Sequence, residues 1–186
     1  MKTPTLETNR IILRALKESD SAAIQQYFPH WNIVQHLSTR VPWPYPKDGA
    51  KHFTEAALKS VEAGKKLIWA ITLKGCKDEC VGIIEYHFED SDVGNRGFWI
   101  AQHLHGQGLM TEAISATQDY VLFELKVQKF RVANAINNPA SRRIKEKTGA
   151  VHIGTEKLEF HSGCNEKEIW EITESNWRNF TTKGNR

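Results

Sequence analysis

One stretch of sequence decides the fold: residues 98–113 read F-W-I-A-Q-H-L-H-G-Q-G-L-M-T-E-A. Its first residues are apolar and predict a strand, and its last residues begin a helical pattern. Gly106 and Gly108 lie where the strand becomes the helix, so the backbone can turn tightly and bring its N–H groups close to a ligand. A helix N-terminus also presents unpaired N–H groups and the positive end of the helix dipole, so the junction predicts a phosphate site. The alternative is that the two glycines only permit a tight turn.

The residues that follow the glycines exclude two other phosphate-binding motifs. A P-loop requires Lys and then Ser or Thr after its last glycine, whereas Leu109 and Met110 stand here. A dinucleotide-binding fingerprint requires a third glycine three residues further on, and that position is Thr111.

Apolar periodicity on both sides of this stretch predicts an α/β domain with the element order β-α-α-β-β-β-α-β-α-β-β. The predicted strands are residues 11–13, 67–73, 81–88, 97–104, 129–135, 151–160 and 167–173, and the predicted helices are 20–27, 48–64, 109–125 and 139–147. Residues 28–46 include Pro42, Pro44 and Pro46 and predict a loop. Its aromatic residues Trp31, Trp43 and Tyr45 are expected to pack as a lid or core, with recognition of a cationic ligand as the alternative.

Composition narrows the class of protein. The chain has 186 residues, of which 40% are hydrophobic and 25% charged, so residues 1–186 are expected to form one globular domain. A net charge of +3 does not indicate a nucleic-acid partner, and no apolar run approaches the ~20 residues that cross a membrane. Three cysteines do not form a disulfide framework, so a cytoplasmic location is expected. Cys76 and Cys80 lack a second pair, so no metal site is expected.

Several segments, in order along the chain, resemble the GNAT acetyltransferases. Residues 105–110, H-G-Q-G-L-M, resemble the pyrophosphate motif Q/R-x-x-G-x-G/A, with His105 in place of Gln or Arg and Met110 in place of Gly or Ala. Residues 6–14, L-E-T-N-R-I-I-L-R, are similar to the opening L-E-T-x-R-L-x-L-R of the RimJ/RimL-like ribosomal-protein N-terminal acetyltransferases. Residues 97–100, 108–113, 138–141 and 146–150 are similar to the G-Y-W-L, G-Y-x-T-E-A, N-x-x-S and E-K-x-G-F segments of the same branch.

This resemblance implies a fold, a cosubstrate and a set of contacts. The fold would be a GNAT-like domain whose mostly antiparallel sheet has splayed strands flanked by helices. Acetyl-CoA would bind with its pantetheine arm between strands 97–104 and 129–135, and an amine would attack the thioester directly. The residues implied to bind acetyl-CoA are Ile100, Ala101, His103, His105, Gly106, Gln107, Gly108, Leu109, Met110, Thr111, Asn138 and Ser141.

Asn138 and Ser141 have two compatible interpretations. Asn followed by Pro is a favourable helix start, so Asn138 is expected to cap a helix whose first turn contains Ser141. The resemblance implies that Asn138 also binds the pantetheine arm and that Ser141 protonates the leaving thiolate. Arg142, Arg143 and Lys145 are expected to form a solvated basic face, with a contact from one of them to the 3′-phosphate of the coenzyme as the alternative.

A general base is not evident from the sequence. Many relatives carry Glu two residues before the G-Y-W segment, and Asn95 stands there in this chain. Glu85 is the best remaining carboxylate, and His87 shares its strand face. The alternative for both is a solvated face. Glu156 and Glu159 are weaker candidates, and an α-amine, with a pKa near ~8, could lose its proton without a dedicated residue.

Three functions remain open at this stage. The first is acetylation of a protein or peptide N-terminus, with ribosomal proteins as the candidate partners. The second is acetylation of a small amine such as a polyamine or an aminoglycoside, which an acidic acceptor pocket would favour. The third is a non-catalytic acyl-CoA-binding domain, which Asn95 and His105 would favour. The sequence does not indicate an oligomeric state.

Overall fold

The computed structural model describes residues 2–89 and 94–183. Its strands are β1 (Leu6–Glu7), β2 (Ile11–Ala15), β3 (Lys66–Leu73), β4 (Gly82–His87), β5 (Arg96–Ile100), β6 (Lys129–Ala135), β7 (Val151–Lys157) and β8 (Glu166–Thr173). Its helices are α1 (Ser21–Tyr27), α2 (Trp31–Val34), α3 (Gly49–Glu62), α4 (Leu109–Asp119), α5 (Pro139–Glu146) and α6 (Glu174–Thr182).

The strands form two sheets, and every pairing within them is antiparallel. One sheet has the order β1-β2-β3-β4-β5, and the other has the order β6-β8-β7. The predicted α/β class with a mostly antiparallel sheet is therefore confirmed.

Strand β3 lies at the centre of the larger sheet, and its residues 67–72 are buried. Since successive side chains point to opposite faces, Leu67, Trp69 and Ile71 pack in one hydrophobic cluster with α4. Ile68 and Ala70 pack in a second cluster, which includes residues of α3. Helices thus cover both faces of the sheet, which explains the nearly continuous apolar run of β3.

The two sheets meet near one end of β5 and β6 and then part. Gly94 forms an isolated bridge with Val132, and the Asn95 N–H donates to the Arg131 carbonyl at 2.7 Å. The Asn95 side-chain oxygen also accepts from the Arg131 N–H at 2.9 Å. Beyond this junction, β5 and β6 belong to separate sheets, so the splayed pair that the resemblance implied is present.

The structure differs from the sequence prediction at several elements. The strand predicted for residues 97–104 ends at Ile100, because Gln102–Leu104 form a 3-10 turn in which the Leu104 N–H donates to the Ala101 carbonyl at 2.9 Å. Three short or terminal elements, β1, α2 and α6, were not predicted. Helix α6 is capped by Thr173 and buries Trp177 completely.

No helix in the described ranges combines the length and the apolar character that crossing a membrane requires. Within the same ranges, no group of three or more His, Cys, Asp or Glu residues is placed to hold a metal ion.

Candidate active site

A cleft of about 1460 Å³ opens where β5 and β6 part. Its walls include Gly97, Phe98, Trp99 and Ile100 from β5 and Ala133 and Asn134 from β6. The cleft continues to the loop before α4 and to the start of α5, and on its other side it reaches the segment after α2. The splayed strands, the glycine loop and Ser141 therefore border one continuous space.

The glycine loop turns tightly through left-handed backbone. Gly106 and Gly108 have φ values of +75° and +78°, and Gly108 is the N-cap of α4. A Cβ at Gly106 would meet nothing within 4 Å, and one at Gly108 would meet only Arg10 Nη2, at 3.6 Å. Crowding by the protein therefore does not require glycine here. The left-handed backbone favours it, and the open space is available to a ligand.

The backbone of this loop leaves several donors free. Within the described residues, the N–H groups of Gly106, Gln107 and Gly108 have no hydrogen-bond acceptor. The first N–H groups of α4, from Leu109 onwards, are unpaired by the nature of a helix N-terminus. The side chains of Leu109 and Met110 are buried in the main hydrophobic cluster, so Met110 in place of Gly or Ala leaves this backbone accessible.

Three of the residues implied to bind acetyl-CoA make other contacts. The Ala101 N–H donates to the Val81 carbonyl at 2.8 Å, and the His105 N–H donates to the Gln102 carbonyl at 3.1 Å. The His103 ring packs against Tyr27 with their centroids 5.6 Å apart. His105 Nε2 lies 2.9 Å from the Ile100 carbonyl, so its ring joins the loop to the end of β5. The backbone N–H groups without an acceptor in this part of the loop therefore begin at Gly106.

Arg10 and Glu112 fix this loop, a role that the sequence analysis missed. The Arg10 backbone N–H and side chain both donate to the Glu112 carboxylate, and Arg10 Nη1 donates to the Gln107 carbonyl at 2.9 Å. Thr8 donates to the same carboxylate at 2.6 Å. Burial alone would raise the pKa of Glu112, but the bonds from Thr8 and Arg10 outweigh it and lower the pKa. The sequence did contain a signal for this role. Both partners lie in segments that resemble the RimJ/RimL-like acetyltransferases, T-N-R at residues 8–10 and T-E-A at residues 111–113.

Helix α5 begins as predicted. The Asn138 side-chain oxygen accepts from the Ser141 N–H at 3.0 Å, and Pro139 occupies the first helical position. The cap uses one lone pair of this oxygen, so its second lone pair and the amide nitrogen of the Asn138 side chain are left to contact a ligand. Asn138 and Ser141 both line the cleft.

The expectation of a solvated basic face on α5 is wrong for Lys145. Its side chain is completely buried, and Lys145 Nζ donates to Ser141 Oγ at 2.9 Å. Arg142 forms an ion pair with the buried Glu168, whereas Arg143 is exposed and lines the cleft. The i,i+4 spacing places Ser141 and Lys145 on one helix face, and tertiary packing buries that face.

Glu85 and His87 share a face in the cleft wall, as the strand period predicts. Glu85 lies 3.0 Å from Lys66 Nζ and 3.2 Å from His87 Nε2. Burial alone would raise the pKa of Glu85, but the hydrogen bond from His87 and the charge of Lys66 outweigh it, so the pKa lies below its ordinary value. Glu85 is therefore ionised at neutral pH and is a weak base. Of the two weaker candidates, Glu156 forms an ion pair with Lys167, whose Nζ lies 3.0 Å from the Glu156 carboxylate.

Buried polar atoms without partners border the cleft. Arg96 Nε and Nη2, Asn134 Oδ1 and His36 Nδ1 are buried and have no hydrogen-bond partner within the described chain. All three residues line the cleft. Because buried polar groups are normally hydrogen-bonded, these unpaired atoms are unusual, and their residues give this part of the cleft wall a polar character. The amides of a pantetheine arm and a pyrophosphate on the free N–H groups fit this arrangement of donors and acceptors.

The segment of residues 28–46, which contains Trp31, Trp43 and Tyr45, forms part of the cleft wall. Trp31 and Trp43 contact each other with centroids 5.7 Å apart and remain partly exposed, while Tyr45 packs on Phe28 and lines the cleft. The adjoining segment is tied to the turn between β7 and β8, since the Thr39 N–H donates to the Glu159 carbonyl at 3.1 Å. Tyr45 thus has the predicted packing role.

Comparison with known proteins identifies the family. Residues 10–151 match the family described as "Acetyltransferase (GNAT) domain", and the chain belongs to that family. A curated relative from Bacillus subtilis (strain 168), named "Putative ribosomal N-acetyltransferase YdaF", is 31% identical over 77 residues. That match spans 39% of this chain and 41% of the relative, less than half of its length.

Two solved structures share the fold. The ribosomal-protein-S5-alanine acetyltransferase from Vibrio fischeri has a TM-score of 0.78 and 17% identity, covering 94% of this chain and 98% of that one. Mycobacterium smegmatis RimJ in complex with CoA-disulfide has a TM-score of 0.78 and 18% identity, covering 94% of this chain and 90% of that one.

Proposed function

We propose that the protein transfers the acetyl group of acetyl-CoA to a primary amine, and that its acceptor is the α-amine of a protein or peptide. One observation carries the proposal: a glycine loop with free N–H groups, an opened pair of strands and a capped helix bearing Ser141 border a single cleft. Membership of the GNAT family and a solved neighbour in complex with CoA-disulfide support the choice of acetyl-CoA.

The residues of the cleft account for the chemical requirements of the transfer. The N–H groups from Gly106 to Thr111 bind the pyrophosphate at the positive end of α4. Within residues 2–89 and 94–183, strand β5 pairs with β4 along one edge, so alternate N–H groups along its other edge are available to stabilise the developing oxyanion. Ser141 provides a proton for the sulfur as the thiolate leaves.

The charge of the cleft supports an α-amine over a small polycation. Among the described residues that line it, Glu85 is the one acidic side chain, and it is already paired with Lys66 and His87. Arg143 and Lys147 line the same space. A polyamine or an aminoglycoside would meet net positive charge there. The weak basicity of Glu85 favours the same choice, since an α-amine needs less help than lysine to lose its proton.

The names of relatives support a protein acceptor. One curated relative is named a ribosomal N-acetyltransferase, and a structural neighbour is named an acetyltransferase of a ribosomal-protein alanine. We therefore include ribosomal-protein N-termini among the acceptors to be tested.

One observation favours a second candidate function, binding of acyl-CoA without catalysis. Asn95, which stands where many relatives carry Glu, is a structural link: its side chain donates to the His87 carbonyl and accepts from the Arg131 N–H. A thiol-release assay with acetyl-CoA and a panel of peptides, polyamines and aminoglycosides separates the two functions. Thiol release that depends on a peptide supports the proposal. Tight binding of acetyl-CoA without release for any acceptor would favour the binding domain.

A further inference from the structure

Lys145 occupies an unusual position for a lysine. Its side chain is 0% exposed, it lies one helical turn after Ser141, and it packs with its Nζ 5.8 Å from the centroid of the Phe98 ring. Within the described chain, Ser141 Oγ is the one hydrogen-bond acceptor that its amine reaches. Burying an amine is costly, and an apolar side chain of similar length would fill the same space without that cost. The position therefore suggests a role for the amine itself.

The direction of this hydrogen bond leaves the Ser141 proton free. Ser141 Oγ accepts from Lys145, whereas Thr54 and Thr117 donate their hydroxyl protons to the carbonyls four residues earlier in their helices. Ser141 also borders the cleft. Its O–H is consequently available to a group in the cleft, while Lys145 holds the oxygen in place.

We propose that Lys145 is a positioning residue that acts through Ser141, by orienting the hydroxyl and by replacing the proton that Ser141 gives to the leaving sulfur. The inference rests on the proposed acetyl transfer. As the carbon–sulfur bond breaks, its electron pair stays on sulfur and takes the Ser141 proton. An N–H of the Lys145 ammonium supplies a proton to Ser141 Oγ, which leaves Lys145 neutral. After the thiol departs, water returns a proton to Lys145 through Ser141, and the acetylated amine has released one proton to solvent.

The charges around Lys145 favour this transfer. Burial lowers the pKa of Lys145 well below its ordinary value, and the nearby charge of Arg96 on β5 lowers it further. Glu168 on β8 has the opposite effect, and its carboxylate is also bound by Arg142 and Asn134. An ammonium with a lowered pKa gives up its proton more readily, so the lowered pKa favours transfer of a proton from Lys145 to Ser141.

The test compares Lys145→Met, Ser141→Ala, the double variant and Lys59→Met, a control at an exposed position of α3. Lys145→Met should lower kcat about 10- to 100-fold with the affinity for acetyl-CoA unchanged. If Lys145 acts only through Ser141, the double variant should be no slower than Ser141→Ala by more than about 2-fold. At saturating acceptor, kcat of the wild type should fall as pH rises through the pKa of Lys145, and this limb should be missing in Lys145→Met.

A second readout does not depend on turnover. In NMR of protein labelled at the lysine side chains, one amine should titrate well below the others, disappear in Lys145→Met and shift in Ser141→Ala. An unchanged kcat in Lys145→Met, or losses that multiply in the double variant, would overturn the inference, and so would a titration insensitive to Ser141→Ala. If the wild type transfers no acetyl group to any acceptor, the proposed function itself has failed. The NMR titration still shows, independently of turnover, whether Lys145 and Ser141 are coupled.

Discussion

Gly108→Val is the substitution that most directly perturbs the glycine loop. Gly108 has a φ of +78° and a ψ of 0°, a left-handed conformation that costs an L-residue about 1–2 kcal/mol and a β-branched one more. A Cβ there has room in the protein, since its nearest neighbour is Arg10 Nη2 at 3.6 Å. The variant should therefore fold with reduced stability, and the new side chain would project at the point where the pyrophosphate approaches.

The expected loss of affinity follows from the donors that the loop presents. If the introduced valine side chain displaces one charge-assisted hydrogen bond to the pyrophosphate, about 1.5–3 kcal/mol is lost, because hydrogen bonds to charged groups have that magnitude. At about 1.4 kcal/mol for each tenfold change, acetyl-CoA should bind roughly 10- to 100-fold more weakly. Isothermal titration calorimetry with acetyl-CoA measures this change directly.

Gly75→Val provides the matched control. Gly75 has a φ of +75° in an exposed turn between β3 and β4, and a Cβ there would meet nothing within 4 Å. It shares the backbone strain of Gly108 but does not line the cleft, so Gly75→Val should lose comparable stability and retain its affinity for acetyl-CoA. Equal affinity in Gly108→Val and the wild type would refute the assignment of the loop to the pyrophosphate.

Three further substitutions test the rest of the site. Ser141→Ala should lower kcat about 10- to 100-fold with little change in the affinity for acetyl-CoA, as steady-state kinetics and calorimetry can establish; an unchanged kcat with chemistry rate-limiting would leave Ser141 with only a structural role. Arg10→Ala should weaken acetyl-CoA binding several-fold, because the Gln107 carbonyl and Glu112 lose the group that ties them together; equal affinity would show that the loop holds its shape without Arg10. Glu85→Gln should leave the shape of the pH profile of kcat/KM between pH 6 and 8 unchanged, because the pKa of Glu85 lies below its ordinary value and the group is ionised throughout; disappearance of an acidic limb in the variant would contradict this.

The sequence predicted those features of the fold that depend on local pattern. Gly106 and Gly108 marked the turn between strand and helix, and Asn138 with Pro139 marked the start of α5, because each signal lies within a few residues. The end of β5 was misplaced because Ala101 and Leu104 resemble a continuation of the strand, and only the structure shows that residues 102–104 turn toward the loop.

Features that depend on distant contacts were not predictable in this way. The hydrogen bonds from Arg10 to Glu112 join residues that are 102 positions apart in the sequence. In the sequence alone, each residue is therefore one position of a separate motif, and nothing indicates that the two are in contact. Residues 142–146 of α5, R-R-I-K-E, have the composition of a solvated helix, so the sequence does not indicate that Lys145 is buried. Strands β5 and β8 determine which face of this helix is buried. Phe98 of β5 and Glu168 of β8 both lie near the Lys145 amine.

The most direct test of the central claim is to incubate the protein with acetyl-CoA and a peptide that carries a free N-terminus and one internal lysine, and to locate the acetyl group by fragmentation in a mass spectrometer. We expect the α-amine to be modified in preference to lysine, because its neutral fraction at pH 7 is larger by roughly two to three orders of magnitude. A polyamine incubated in parallel should react more slowly than the peptide. Acetylation mainly on lysine, faster reaction of the polyamine, or no transfer to any amine would contradict the account.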